Sequence, residues 1–457
     1  MKNERYCGVL MPMPMLHGPF GIGVMGEEAR RFIDFLKRSG FSAWQVLPLE
    51  HTGKCFSPYK CVSAFAGEPM LIDPRGLHEM GLVTEEELRG RADGMSVDYV
   101  DYERVYERQW ELLRRAFERA EREIYAEFNP FWLDDYIAYM VVKRHEDAEF
   151  HQFVQWVFAR QWGELKEYAN SNGVVIVGDM PIYVAEDSVE TWRNGELFEE
   201  EAVGGAPPDY FNALGQRWGN PTYNWERMES DGYGWWIDRM RAALERYDIV
   251  RLDHFRGFES YWRIPAEEED ARGGEWAKGP GMKIFRAMEG ALGELPLIAE
   301  DLGDINAAVE ELLDETGFCG MGVLQFGFLG DDRHLPHNYT EKTIAYTGTH
   351  DNTTLLDWIF GLDDAGRERA LFYLGFEGDW SRGGVDSAIN RAWIRVLYQS
   401  RASAVILPIQ DILGYGADTR TNTPGTTEGN WRFRVRGEAL SEVDCGFYAR
   451  LAGEMGR

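Results

Sequence analysis

A chain of 457 residues with 44% hydrophobic and 27% charged positions can bury a large core, as one elaborated domain or as several. Its net charge of −29 works against nucleic acid and anionic membrane surfaces, while an uncharged ligand is indifferent to that field. Cys7, Cys55, Cys61, Cys319 and Cys445 lack paired spacing, which speaks against zinc or disulfide frameworks and suits a reducing, cytoplasmic setting.

The first apolar run, Cys7–Met11, reads as a buried strand; Pro12 and Pro14 then interrupt it, so no signal peptide is expected. Nowhere do about 18 apolar residues follow one another, so no transmembrane helix is expected either. Gly21–Gly26 spells GxGxxG ahead of a helix. It stands too far behind the strand for a dinucleotide turn, and Glu27 and Glu28 would repel a pyrophosphate at the helix start.

A second run spans Ala43–Leu49. The stretch 76–170 that follows is rich in Glu, Arg and aromatic residues at helical spacing, with helices expected near Glu85–Arg91, Glu103–Phe128 and Phe131–His145, and reads as a helical insertion. His145 and His151 are six apart and cannot share a helical face as zinc ligands. Val174–Asp179 is the third run. The stretch 181–247 crowds Gly204, Gly205, Pro207, Pro208, Gly215, Gly219 and Pro221 around Trp218, Tyr223 and Trp225, and reads as a loop-rich insertion. Such a segment either faces a ligand or packs its aromatic rings beneath the surface. Five further runs follow at Ile249–Asp253, Leu297–Asp301, Met321–Phe326, Thr343–Tyr346 and Ala404–Ile409. Eight hydrophobic strands alternating with helices predict an α/β fold of the (β/α)8 barrel type, with both insertions mounted on one catalytic unit.

In such a barrel, reactive groups sit at the C-terminal ends of strands. Asp179, Asp253, Glu300 with Asp301, and Asp351 all stand there, with Arg251, His254, Arg256 and His350 beside them. Converging carboxylates are what glycosidic-bond chemistry needs, one to protonate the leaving oxygen and one to meet the anomeric carbon. Any one of these acids could instead cap a helix or pair with a buried arginine. Arg251 and Asp253 lie two apart, so they face the same side of a strand, where the cation would hold Asp253 ionised.

RLDHFRG at Arg251–Gly257, IAEDLG at Ile298–Gly303 and GTHDNTT at Gly348–Thr354 resemble the catalytic motifs of amylomaltases, the 4-α-glucanotransferases related to α-amylases. The resemblance continues in order through WQVLPL at Trp44–Leu49, SPYKCVSAFAGEP at Ser57–Pro69, DMPIYVAEDS at Asp179–Ser188, PPDYFNALGQRWGNPTYNW at Pro207–Trp225 and RTNTPGTTEGNW at Arg420–Trp431. It implies a retaining double displacement on α-1,4-glucans, with maltooligosaccharides and glucose as partners. Asp253 would be the nucleophile, Glu300 the acid and base, and Asp351 the residue that stabilises the transition state. Arg251, His350, Asp179, His254, Asp209, Trp218, Tyr59, Ser57 and Asn422 would bind substrate. No cofactor or metal is implied, because side chains supply every role.

Too little chain follows Ile409 for the C-terminal β-sandwich of α-amylases. Lys54-Cys55-Phe56 replaces the acidic segment usual before SPY, Val24 stands where Asp is common, and Arg432 where a second Trp is more usual. An α-glucan hydrolase with the same carboxylates, or a non-catalytic glucan-binding protein, are the competing readings.

Overall fold

The computed structural model describes residues 5–145, 147–208 and 212–457. Twelve strands occur among them: β1 Tyr6–Leu10, β2 Ala43–Gln45, β3 Val175–Met180, β4 Phe198–Ala206, β5 Gln216–Tyr223, β6 Ile249–Leu252, β7 Ser260–Pro265, β8 Glu275–Lys278, β9 Leu297–Ala299, β10 Gly320–Val323, β11 Thr343–Tyr346 and β12 Ala404–Pro408. Eight of them form one all-parallel sheet in the order β10-β11-β12-β1-β2-β3-β6-β9. A parallel bridge between Ile298 and Cys319 joins the two ends into a barrel. Asp301 tightens that seam by accepting the Met321 N–H at 2.6 Å. Each expected run contributes one of these strands.

Side chains alternate along every strand, which gives two cores. Leu10, Leu47, Val177, Ile298, Met321, Ile344, Tyr346 and Ile406 fill the barrel interior. Cys7, Val9, Trp44, Ile176, Val250, Leu252, Ala345 and Val405 face the surrounding helices. Gly178 belongs to the outward set, and a Cβ there would lie 2.1 Å from the Tyr247 ring. Tyr247 cannot withdraw freely, because its hydroxyl accepts the Leu49 N–H at 3.2 Å. Gly178→Ala is therefore expected to cost about 1–3 kcal/mol of overpacking, read as a lower urea midpoint with an unchanged m-value.

Residues 76–170 hold helices Glu85–Ala92, Tyr102–Arg119, Leu133–Arg144 and Ala148–Ser171. The expected helix 103–128 ends early: Ala120 turns extended, and a short 3-10 turn, Arg122–Ile124, follows. Arg119, in the last helical turn, is drawn sideways onto Glu87 and the Leu82 carbonyl.

The stretch 181–247 is more regular than its Gly and Pro content led us to expect. It carries β4 and β5 as an antiparallel hairpin, and β7 and β8 extend this to a four-stranded sheet in the order β5-β4-β7-β8. The glycines serve close packing here. A Cβ on Gly204 would strike the Tyr183 ring at 2.5 Å, and one on Gly205 the Gln216 carbonyl at 2.2 Å. No strand follows β12 among the described residues, only helices and turns. None of the described helices is long and apolar enough to cross a membrane.

Candidate active site

The parallel register places β3 beside β6 and β6 beside β9, with Asp179 opposite Arg251 and Arg251 opposite Ile298. Asp253 and Glu300 are the first residues beyond β6 and β9, and neighbouring strands tie them down. The Asp253 N–H donates to the Met180 carbonyl at 3.0 Å, and the Glu300 N–H to the Leu252 carbonyl at 3.0 Å.

Arg251 is the hub of the site. One guanidinium nitrogen donates to both oxygens of Asp179, at 2.8 and 2.9 Å, and to Asp253 Oδ1 at 2.9 Å. Burial works against its charge, but Asp179 and Asp253 outweigh that and hold the guanidinium well above its ordinary pKa. The Asp253 side chain keeps 26% exposure, so one side stays open to a ligand.

His254 has left-handed backbone, φ 53°, an unusual conformation for a side-chain-bearing residue. That turn aims its N–H at Glu300 Oε2, 2.6 Å away, while the next N–H, of Phe255, reaches the Glu300 carbonyl. The strained turn thus wraps the Glu300 carboxyl against the Asp253 backbone. Burial drives His254 down to about 3, with Arg256 adding to the effect, so the imidazole is neutral. Its Nε2 is buried and has no hydrogen-bond partner among the described residues.

Burial raises both acids. Asp253 is pushed up to about 7 against the pull of Arg251, with Asp179 and Asp351 adding to the rise. Glu300 is lifted well above the carboxylate range by burial; Arg251 opposes this, and the Asp253 charge supports it. The two titrate together, and contact decides where the shared proton resides. Asp253 touches the guanidinium, whereas among the described residues Glu300 has only two peptide N–H donors, those of His254 and Leu302. Glu300 therefore holds the proton and Asp253 the charge.

Tyr59 closes the other side. Its hydroxyl donates to Asp179 Oδ2 at 2.8 Å and meets His350 Nε2 at 2.8 Å, and the two rings stack at 5.3 Å. A phenol has one proton, and the carboxylate takes it, which assigns the Nε2–H tautomer to His350. Burial lowers the His350 pKa despite Asp351, so this ring is neutral too. Ser57 does not join this contact; its hydroxyl accepts the Tyr59 N–H at 3.3 Å and shapes the turn that presents the phenol. Tyr59→Phe removes a hydrogen bond to a charged group, worth about 1.5–3 kcal/mol. A fall of about 10- to 100-fold in kcat/KM is expected from initial rates, with Tm changing little.

Asp351 lies beyond β11 on the loop to helix Leu355–Gly361. Its Oδ1 accepts Asn422 Nδ2 at 2.6 Å, its carbonyl accepts Arg420 Nη2 at 2.6 Å, and His350 Nε2 stands 3.4 Å from Oδ2. Trp218, on β5, sets its ring edge-on to His254 at 4.9 Å. Tyr223 and Trp225 instead pack beneath the hairpin against Trp236. The aromatic cluster read from the sequence is thus divided between a ring at the site and rings in the core. Asp209 lies outside the described residues.

Three comparisons bear on this arrangement. The profile of the family described as 4-alpha-glucanotransferase matches residues 11–149 and 143–439. The 4-alpha-glucanotransferase of Thermus thermophilus is 42% identical, covering 96% of this chain and 97% of that protein. The chain belongs to the 4-alpha-glucanotransferase family. A 4-alpha-glucanotransferase of Streptococcus pneumoniae is 41% identical over 96% of this chain and 95% of its own. The solved structure of an amylomaltase from Streptococcus agalactiae, in complex with acarbose, superposes with a TM-score of 0.94 at 36% identity, covering 99% of this chain and 100% of that one. Family membership carries the activity in the family's description, transfer rather than hydrolysis.

Against that family background, several residues at the site went unread in the sequence. Asp411 and Gln410, after β12, and Gln325 hold the loops that bear Asp351 and Asn422. Nothing in their spacing sets them apart from core residues. Asp301, paired with Glu300 in the sequence, is taken up by the barrel seam. The GxGxxG glycines pack against their own chain: a Cβ on Gly23 would lie 2.0 Å from the Met13 carbonyl, and one on Gly26 1.7 Å from Asp73. Asp73, Arg75 and Glu28 form an ion-pair cluster at that helix start. No group of three His, Cys, Asp or Glu residues able to hold a metal occurs among the described residues.

Proposed function

We propose that this chain moves α-1,4-glucan segments from a maltooligosaccharide donor to the 4-OH of glucose or another maltodextrin by a retaining double displacement. The reading is carried by one observation: Arg251 donates to Asp253 at 2.9 Å, which favours its anion, while burial on the adjacent strand end raises the pKa of Glu300 and favours its acid form. The open Asp253 oxygen attacks the anomeric carbon, the C1–O4 bond breaks, and Glu300 passes its proton to the departing O4. A β-glucosyl ester on Asp253 results. An acceptor 4-OH then attacks C1 as Glu300 takes its proton back, and Asp253 leaves as the carboxylate. Asp351, oriented by Asn422, bears on the positive charge that develops on the ring.

Water and a sugar hydroxyl attack by the same route, so transfer depends on which of them reaches the ester. Trp218 would seat the acceptor and shield the intermediate, and Asp209, which the motif resemblance adds, would assist it. The stretches 76–170 and 181–247 are then insertions on one catalytic barrel. Five free cysteines fit a cytoplasmic enzyme acting on maltodextrin or glycogen-derived chains.

Incubation with maltotriose tests the reading. Glucose together with a ladder of longer maltooligosaccharides is the expected result, and accumulation of only glucose and maltose would refute transfer.

A further inference from the structure

Asp351 and Asn422 meet at 2.6 Å although they belong to separate segments, the loop after β11 and the segment after β12. Two adjacent residues of the short helix Ile409–Leu413, directly after β12, hold both segments. Asp411 Oδ2 accepts the Thr347 hydroxyl at 2.5 Å and Asp411 Oδ1 accepts the Leu355 N–H at 2.7 Å, so one carboxylate ties the two ends of the loop that bears His350 and Asp351. Gln410 Nε2 donates to the Thr419 carbonyl at 3.0 Å and to Thr421 Oγ1 at 2.9 Å, directly before Asn422. This short helix is itself fixed where Asn390 Nδ2 donates to the Asp411 carbonyl at 2.9 Å.

Asp411 is 1% exposed, and no cation pairs with it among the described residues. Burying a carboxylate without a counter-ion is costly, and a helix cap would not require it: Thr354 already caps helix Leu355–Gly361 by accepting the Asp357 N–H. A carboxylate does offer two acceptor oxygens at fixed separation, which a loop anchored at both ends needs.

We propose that Asp411, with Gln410 beside it, is a positioning residue that sets the register of Asp351 against Asn422. The proposal rests on the reading of Asp351 as a group acting on the reacting sugar. A displacement of about 1 Å at such a group can cost on the order of 100-fold in rate. Asp411→Ala should therefore lower kcat for maltotriose disproportionation by about 30- to 100-fold, with KM within about threefold of the parent. Asp411→Asn should recover to within about fivefold, because its oxygen can accept the Leu355 N–H while its amide donates to the Thr347 hydroxyl.

Amide hydrogen exchange over 347–355 and 419–423 gives a readout independent of turnover, and should quicken in Asp411→Ala and not in Asp411→Asn. Should Asp411→Ala fail to fold, Thr347→Val cuts one tie with little change of shape, and a kcat lower by about 3- to 10-fold at unchanged KM is expected. A folded Asp411→Ala protein with parental kcat, a loss carried by KM, an Asn variant as impaired as the Ala variant, or unaltered exchange in both segments would each overturn the proposal. A parent chain that builds no ladder from maltotriose would instead count against the transferase reading, and the exchange data would still decide whether the brace exists.

Discussion

Asp253→Asn should yield a folded protein that still binds maltotriose and turns it over on the order of 10⁴-fold more slowly. The amide keeps the shape of the side chain and an oxygen for Arg251, so the loss falls on the bond that cannot form. A second signature follows from pH. The folded-state pKa of Asp253, about 7, lies above the unfolded value of about 3.9. Its contribution to stability is therefore fully present below about pH 4 and is lost as pH rises through about 7. Asparagine carries no such dependence. The Tm of Asp253→Asn relative to the parent should climb between pH 4 and pH 8, and a flat difference across that window would mean that the carboxylate is not held at a cost in the native site.

The strand runs were legible because both faces of a parallel barrel strand are buried, which writes a hydrophobic run into the sequence. The strands of the smaller sheet were not. β4 mixes Glu199–Glu201 with Ala202–Ala206, β5 is broken by Gly219 and Pro221, and β8 is mostly exposed, so none shows a clear two-residue repeat. At the site, strand-end acids stood out, yet Glu300 and Asp301 are adjacent and equally placed along the chain. Their different fates, a carboxyl held by the His254 and Leu302 N–H groups or a clamp on the Met321 N–H, depend on pleat direction and on where the sheet closes. Tyr59 and Asn422 come from loops far away in sequence, and only the motif resemblance connected them with the strand-end acids. The division of Trp218 from Tyr223 and Trp225 follows the alternation of β5 and the turn beyond it, which a Gly- and Pro-rich composition conceals.

Glu300→Gln separates protonation from attack. With maltotriose, whose leaving sugar must be protonated, a loss of about 10²- to 10⁴-fold is expected. With α-maltosyl fluoride as donor, fluoride departs without a proton, so the first step should recover while the second, which needs Glu300 as base, stays slow. The maltosyl ester on Asp253 should then accumulate and be visible as an added mass on the intact protein. In the parent, the alkaline limb of the kcat/KM profile should fall as pH rises through the elevated pKa of Glu300, since the proton it must donate is lost there. The acid limb should fall as Asp253 gains a proton below about 7. Because the Asp253 charge helps to hold that proton on Glu300, the first displacement itself, which neutralises Asp253 as an ester, lowers the Glu300 pKa. The residue that begins as the acid is thereby left an anion, ready to serve as the base when the acceptor arrives. Ester formation in Glu300→Gln as slow with the fluoride donor as with maltotriose would remove Glu300 from the role of acid, and fast turnover of the ester would remove it from the role of base.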